Sequence, residues 1–222
     1  MNKYTLITFD FDGTICDTAP AIIKTLLQLF PDADADEVNS YLSAGTPLNS
    51  VISALHNKPL STEELDALCR TYRHHYNLEN YRLQKPFPGV AEILAHFKRL
   101  GSSCLIVSNK GEIALRQFVN EYGLQHQFDN IIGERKAVPG KPKPDIYHKV
   151  ISEAYPNIHS KQILHIGDTV ADLEFAQNIG ADSVYLTHGF GDDEAAMEMS
   201  PTWYCKGFHE LNQLLTSGGK HV

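Results

Sequence analysis

Asp10 and Asp12 stand two positions apart in the run Asp10-Phe11-Asp12-Gly13-Thr14, directly behind the apolar segment Tyr4-Thr5-Leu6-Ile7-Thr8-Phe9. In extended chain, residues i and i+2 face the same side, so both carboxylates project into one small space. Carboxylates held that close repel unless a cation or a shared proton neutralises them. A divalent metal answers that need and leaves the second acid to carry a proton. Gly13 lets the chain turn sharply behind the acids. Taken alone, the pentapeptide reads equally well as a polar turn, because Asp, Gly and Thr are all turn formers.

Three further segments carry side chains of matching chemistry. Ser108-Asn109-Lys110 follows the apolar run Cys104-Leu105-Ile106-Val107 and offers a hydroxyl, an amide and backbone N–H groups ahead of a helix. Pro139-Gly140-Lys141-Pro142-Lys143-Pro144-Asp145 is a stiff loop that holds a lysine before another helix. Gly167-Asp168-Thr169-Val170-Ala171-Asp172 follows Ile163-Leu164-His165-Ile166. Each has a plainer explanation in isolation: a helix cap for Ser108-Asn109, a solvated lysine, a strand-end turn. Such coincidences at successive strand ends are much rarer than one shared site. Together these groups supply acids for a metal, donors for an oxyanion and one fixed cation, which is the equipment for phosphoryl transfer.

The elements that must position these groups follow from periodicity. Residues 4–9 are β-branched and aromatic and predict a strand. From 15 to 84 the pattern is helical, with no convincing strand. Ile22, Ile23, Leu26, Leu27 and Phe30 form one stripe behind Asp17, Thr18 and Pro20, and Leu48, Val51, Ile52 and Leu55 form another. Ser61 and Glu64 make a capping box ahead of Leu65, Leu68, Tyr72 and Tyr76. The segment Lys85-Pro86-Phe87-Pro88-Gly89 then punctuates the chain, and beyond it helices alternate with short apolar runs at 104–107, 131–132, 163–166 and 183–186. That alternation predicts an α/β fold: a Rossmann-like parallel sheet with helices on both faces, formed by 1–14 and 85–222, and an inserted all-helical cap over 15–84. Ser217-Gly218-Gly219 predicts a frayed end. Open α/β sheets bind ligands at the carboxyl ends of their strands, where all the acids lie.

Composition narrows the partners. At 222 residues with 42% hydrophobic content and 21% charged residues, the chain has an ordinary globular makeup. Its net charge of −8 argues against a nucleic-acid partner. No apolar stretch reaches the roughly 20 residues of a membrane span, and no secretory signal is visible, so a cytoplasmic location is expected. Cys16, Cys69, Cys104 and Cys205 are widely spaced and expected as reduced thiols; Cys16, near the acids, is open to a redox role or a packing role. The eleven histidines show no zinc-binding spacing, and His74-His75 is expected in solvent.

The four segments together resemble the motifs of the haloacid dehalogenase-like superfamily over essentially the whole chain. Asp10 to Thr14 matches the first motif, Ser108 the second, Lys141 the third, and Gly167-Asp168 with Asp172 the fourth. Asp-Phe-Asp-Gly-Thr, Pro-Phe-Pro-Gly-Val and Val-Ser-Asn-Lys most resemble the phosphoglycolate phosphatase-type enzymes. The resemblance implies Asp10 as nucleophile, giving an aspartyl-phosphate, and Asp12 as the acid/base that serves leaving alkoxide and water in turn. It implies Mg²⁺ on Asp10, the Asp12 carbonyl and Asp168, with Asp172 behind them. Ser108, Asn109 and Thr14 would bind the phosphoester, with Lys141 neutralising nucleophile and phosphate. Because a halide leaving group needs no proton, Asp12 favours phosphoester over dehalogenase chemistry.

The expected partner is a small phosphate monoester, phosphoglycolate-like, in a monomer or homodimer. A sugar phosphomutase, a pyrophosphatase or nucleotidase, and a phospho-acceptor or scaffold protein are the alternatives. Ala44-Gly45-Thr46-Pro47-Leu48 is either a substrate-facing cap loop or a turn between helices. Lys24, Lys58, Arg70, Arg73, Arg82 and, at the rim, Lys110 are the cations that could meet a substrate carboxylate.

Overall fold

The computed structural model describes residues 3–217; Gly218 and Gly219 lie outside them. Six parallel strands form the main sheet: β1 (Leu6–Phe9), β4 (Ser103–Val107), β5 (Asn130–Ile132), β6 (Ile163–Gly167), β7 (Asp182–Leu186) and β8 (Trp203–Cys205), in the order β5-β4-β1-β6-β7-β8. A separate ribbon pairs β2 (Cys16–Asp17) antiparallel with β3 (Lys85–Pro86).

Both faces of the sheet are covered, which is why its strands are continuous apolar runs rather than alternating ones. Ile7, Phe9, Ile106 and Ile166 pack to one side in a cluster with residues of α5 (Val90–Arg99), α6 (Glu112–Glu121) and α10 (Phe208–Ser217). Leu6, Leu105, Val107 and Ile163 pack to the other with Phe175 and Ile179 of α8 (Val170–Ile179). A wide helical turn at Tyr147–Ile151 running into α7 (Ser152–Ala154), and α9 (Asp193–Glu198), complete the core.

The inserted unit contains α1 (Ala19–Leu29), α2 (Ala35–Ser43), α3 (Leu48–Leu55) and α4 (Thr62–His75), extended by a wide turn over Tyr76–Asn80. Ala21, Leu26, Val38, Ile52, Tyr72 and Tyr76 form its own core. The Ser61–Glu64 capping box starts α4 as the spacing requires.

One expectation needs correction, and one strand lies outside the apolar runs of the sequence. A strand does occur between 15 and 84: Cys16–Asp17 is too short to show a period-2 pattern, and its partner Lys85–Pro86 lies far off in sequence. The edge strand Trp203–Cys205 was also unanticipated, since three residues carry no periodicity of their own. Among the described residues, no helix is long and apolar enough to cross a membrane.

Candidate active site

The register of the central strands assembles the site. Phe9 lies opposite Ile106 of β4 and Ile166 of β6, so the chain leaves all three strands at one edge, where Asp10, Ser108 and Asp168 emerge side by side. From β1 the chain runs to β4 and β5 on one side and then to β6, β7 and β8 on the other. That reversal makes the edge a topological switch point, the place where open α/β sheets bind ligands.

Lys141 is the hub. Although it sits among prolines on a loop, only 5% of it is exposed. Its Nζ lies 2.7 Å from Oδ1 of Asp10 and 2.6 Å from Oδ1 of Asp172. Asn109 Nδ2 donates to the Lys141 carbonyl at 2.9 Å, tying the β4 loop to the lysine loop. Asp172 in turn accepts from the Thr169 N–H at 3.1 Å and the Thr169 hydroxyl at 2.8 Å, and its Oδ1 lies 3.2 Å from His165 Nε2. The other ring nitrogen of His165 is 2.8 Å from the Thr8 hydroxyl in the neighbouring strand.

Asp168 is fully buried and doubly held. Thr14 donates its hydroxyl to Oδ1 at 2.6 Å, and the Phe190 N–H donates to Oδ2 at 2.8 Å. Thr14, expected on the substrate, is buried beside this carboxylate and donates to it. Gly13 has φ +80, and a Cβ there would lie 2.0 Å from Oδ2 of Asp168. The glycine that ends the acidic motif is therefore needed for closeness as well as for the turn.

Asp12 lines the same cavity as Asp10 and pairs with Lys110, Nζ to Oδ1 2.9 Å. The Lys110 ammonium also lies 4.0 Å from the centre of the Tyr76 ring, which the cap contributes. Ser108 is buried at the end of β4, and its Oγ accepts from the Lys110 N–H at 3.3 Å. Of the remaining candidate cations, Lys24, Lys58, Arg70 and Arg82 are exposed, whereas Arg73 lines the cavity and pairs with Glu134. The loop at Gly45 reaches the core: a Cβ on Gly45 would lie 3.1 Å from the Thr169 hydroxyl.

The electrostatics of the cluster are those of a cation site. Asp10, Asp168 and Asp172 bring carboxylate oxygens within 4.8 Å of one another, all buried. Burial pushes the Asp10 carboxyl up to about 6, with Lys141 pulling against it. Burial, reinforced by Asp172 and Asp10, lifts Asp168 well above the usual carboxylate range. Burial also opposes the charge of Asp172, but Lys141 and His165 outweigh it and hold that carboxyl below its ordinary value. Lys141 stays charged because Asp10 and Asp172 more than offset the cost of its burial. The cluster thus holds three acids and one lysine, which pairs with two of them, and a hard cation with oxygen ligands fits the surplus of negative charge.

Several of these contributors escaped the sequence reading. His165 carried a signal, as a polar residue inside a buried strand. Phe190 acts through its backbone, and only the flanking Gly189 and Gly191 betrayed it; Cβ atoms there would lie 2.2 Å and 2.0 Å from atoms of Asp168.

A family model described as haloacid dehalogenase-like hydrolase matches residues 7–186. The chain belongs to that family. Among curated relatives, it is 26% identical over 226 residues to a phosphoglycolate phosphatase of Pasteurella multocida, covering 97% of this chain and 99% of the relative. It is 28% identical over 212 residues to another from Mesorhizobium japonicum, covering 93% and 92%. The fold is shared with the crystal structure of a predicted phosphoglycolate phosphatase from Haemophilus somnus, at TM-score 0.80, 24% identity and coverage of 97% and 99%. It is shared also with CbbY from Rhodobacter sphaeroides in complex with phosphate, at TM-score 0.78, 18% identity and coverage of 94% and 96%. Within the haloacid dehalogenase-like hydrolases, the curated relatives this chain resembles are named as phosphatases.

Proposed function

We propose that the protein is a Mg²⁺-dependent phosphatase that hydrolyses a small phosphate monoester through an aspartyl-phosphate on Asp10. The observation that carries this reading is the contact of Asp10 Oδ1 with the buried Lys141 ammonium at 2.7 Å, beside a cluster of carboxylates suited to a cation.

Asp10 attacks phosphorus with one carboxylate oxygen while Lys141 offsets the charge gathered between nucleophile and phosphoryl group. Ser108 and the N–H groups that follow β4 receive the phosphoryl oxygens, and Asn109 fixes the lysine loop against them. Asp12 protonates the departing alkoxide, then takes a proton from the water that splits the acyl phosphate. Lys110 holds Asp12 in place between those steps.

Asp10, the Asp12 carbonyl and Asp168 would hold Mg²⁺, with Asp172 behind them. When bound, the ion supplies positive charge to the phosphoryl oxygens and neutralises the nucleophile. Thr14 and Phe190 keep Asp168 directed for this duty. Phosphoglycolate is the reference substrate, because the relatives are named for it.

The test is phosphate release from phosphoglycolate, alkyl phosphates, pyrophosphate, sugar phosphates and nucleotides, with and without Mg²⁺, alongside Asp10→Asn and Asp12→Asn. Release is expected to require the metal and Asp10, and Asp12→Asn is expected to slow it by about 10²–10⁴. Release that survives Asp10→Asn would sink the mechanism.

A further inference from the structure

A cavity of about 390 Å³ opens from Asp10 and Ser108 and runs up between the core and the cap. Its volume lies in the range that holds organic ligands of drug-like size. A two-carbon glycolate would leave most of it to water.

The walls are apolar where the leaving group must go. Leu42, Val51 and Tyr72 line it from the cap, over the buried Leu26 and Val38 of the cap core, and Ile113 faces it from the first turn of α6. Ile113 is 75% exposed, a large hydrophobic side chain held at the mouth of the cavity. Burying apolar surface against such walls is favourable, whereas burying a carboxylate there without a partner is costly.

Among the described residues, no lining cation is left over for a substrate carboxylate. Lys141 is committed to Asp10 and Asp172, Lys110 to Asp12, and Arg73 to Glu134. Recruiting Lys110 would strip Asp12 of its partner. Arg73, partly exposed at the rim, can give up Glu134 at little cost, but that acid also lines the cavity and would then repel a substrate carboxylate.

We propose that the preferred substrate is a phosphate monoester of an alcohol with an apolar body of several carbons, which fills the cap side of this cavity, rather than a carboxylated ester such as phosphoglycolate. The inference rests on the phosphatase reading above and names its substrate class. The phosphate sits at Asp10 and Ser108, and the hydrocarbon lies along Leu42, Val51 and Ile113.

The experiment is kcat/KM for Mg²⁺-supported phosphate release from ethyl, butyl and hexyl phosphate, set beside phosphoglycolate. The alkyl series keeps the leaving alkoxide nearly constant, so that length reports burial. A rise of up to about fourfold per methylene is expected, the fold-change that matches the transfer of one CH₂ out of water. Hexyl phosphate should then exceed phosphoglycolate roughly tenfold or more. Leu42→Lys should lower the hexyl-to-ethyl ratio and raise phosphoglycolate relative to both, while Leu42→Met should keep the ratio. A flat or falling series, or phosphoglycolate as the best substrate of the unaltered protein, would overturn the apolar class while leaving a phosphatase. No release from any ester, or release retained by Asp10→Asn, would overturn the phosphatase reading and the inference with it.

Discussion

Lys110 and Asp12 form an ion pair, Nζ to Oδ1 2.9 Å, that is closed on its far side by the ring of Tyr76. Burial works against the charge of Lys110, but Asp12 and its neighbours hold the ammonium above its ordinary value. The lysine therefore stays charged and fixes Asp12, the proton carrier of the proposed mechanism, and through Tyr76 it also joins core to cap. Lys110→Met keeps the stem and deletes the charge. It is expected to lower kcat by about 10–100-fold, part of the general acid–base contribution, with a smaller change in KM. Lys110→Arg should restore part of the loss, and steady-state kinetics on the best substrate of the panel measures both.

Gly13 offers a sharper test of geometry. Its φ is +80, and a Cβ at this position would stand only 2.0 Å from Asp168 Oδ2, which leaves no room for a side chain. Gly13→Ala must strain the backbone by about 1–3 kcal/mol or displace Asp168 from Thr14 and Phe190. Either outcome loosens the carboxylate cluster. The expected result is a lower thermal midpoint together with weaker Mg²⁺ binding, read by calorimetry and by titration of the metal. A variant that binds Mg²⁺ as tightly as the unaltered protein would show that Asp168 is not among the groups that hold it.

Much of this arrangement was legible in the sequence. Strand-end acids, a serine and a lysine among prolines are local signals, and the parallel register then carries them to one edge. What was not legible depends on contacts between distant segments. Thr14 looks like a ligand of substrate because it follows the acids, yet its partner is Asp168, 154 residues away. The commitment of Arg73 to Glu134 lies across the cap–core boundary, so sequence leaves it in the same class as Arg70 or Arg82. The ribbon Cys16–Asp17 with Lys85–Pro86 is likewise a pairing of distant residues, each strand too short to declare itself.

His188 links that ribbon's neighbourhood to pH. Its ring stacks on Phe87 at 3.9 Å, and Nε2 lies 3.1 Å from the Thr14 carbonyl. Burial lowers its pKa below the ordinary value, with the Thr14 contact opposing the shift. The unfolded chain therefore takes up the proton first, at about 6.5. The stabilising contribution of the neutral ring is complete above that pH and is lost as pH falls through it. His188→Phe keeps an aromatic ring against Phe87 and removes the titration. Urea midpoints at pH 8 and pH 5.5 should converge in the variant relative to the unaltered protein. Its stability at pH 8 should drop by about 1 kcal/mol for the lost hydrogen bond.

The cysteines decide between a redox role and a packing role for Cys16. All four are free and buried. Burial pushes the Cys104 and Cys205 thiols up to about 12. Burial raises Cys69 as well, and raises Cys16 strongly, with the nearby Asp12 carboxylate adding to the effect. Only the thiolate attacks disulfides and peroxides, so at pH 8 a thiol with a pKa near 12 presents a reactive fraction of about 10⁻⁴. Ellman's reagent should find no fast-reacting thiol in the native protein and all four after denaturation. Modification of Cys16 in the native state, faster than global unfolding, would show that the ribbon opens to solvent and would restore the redox reading.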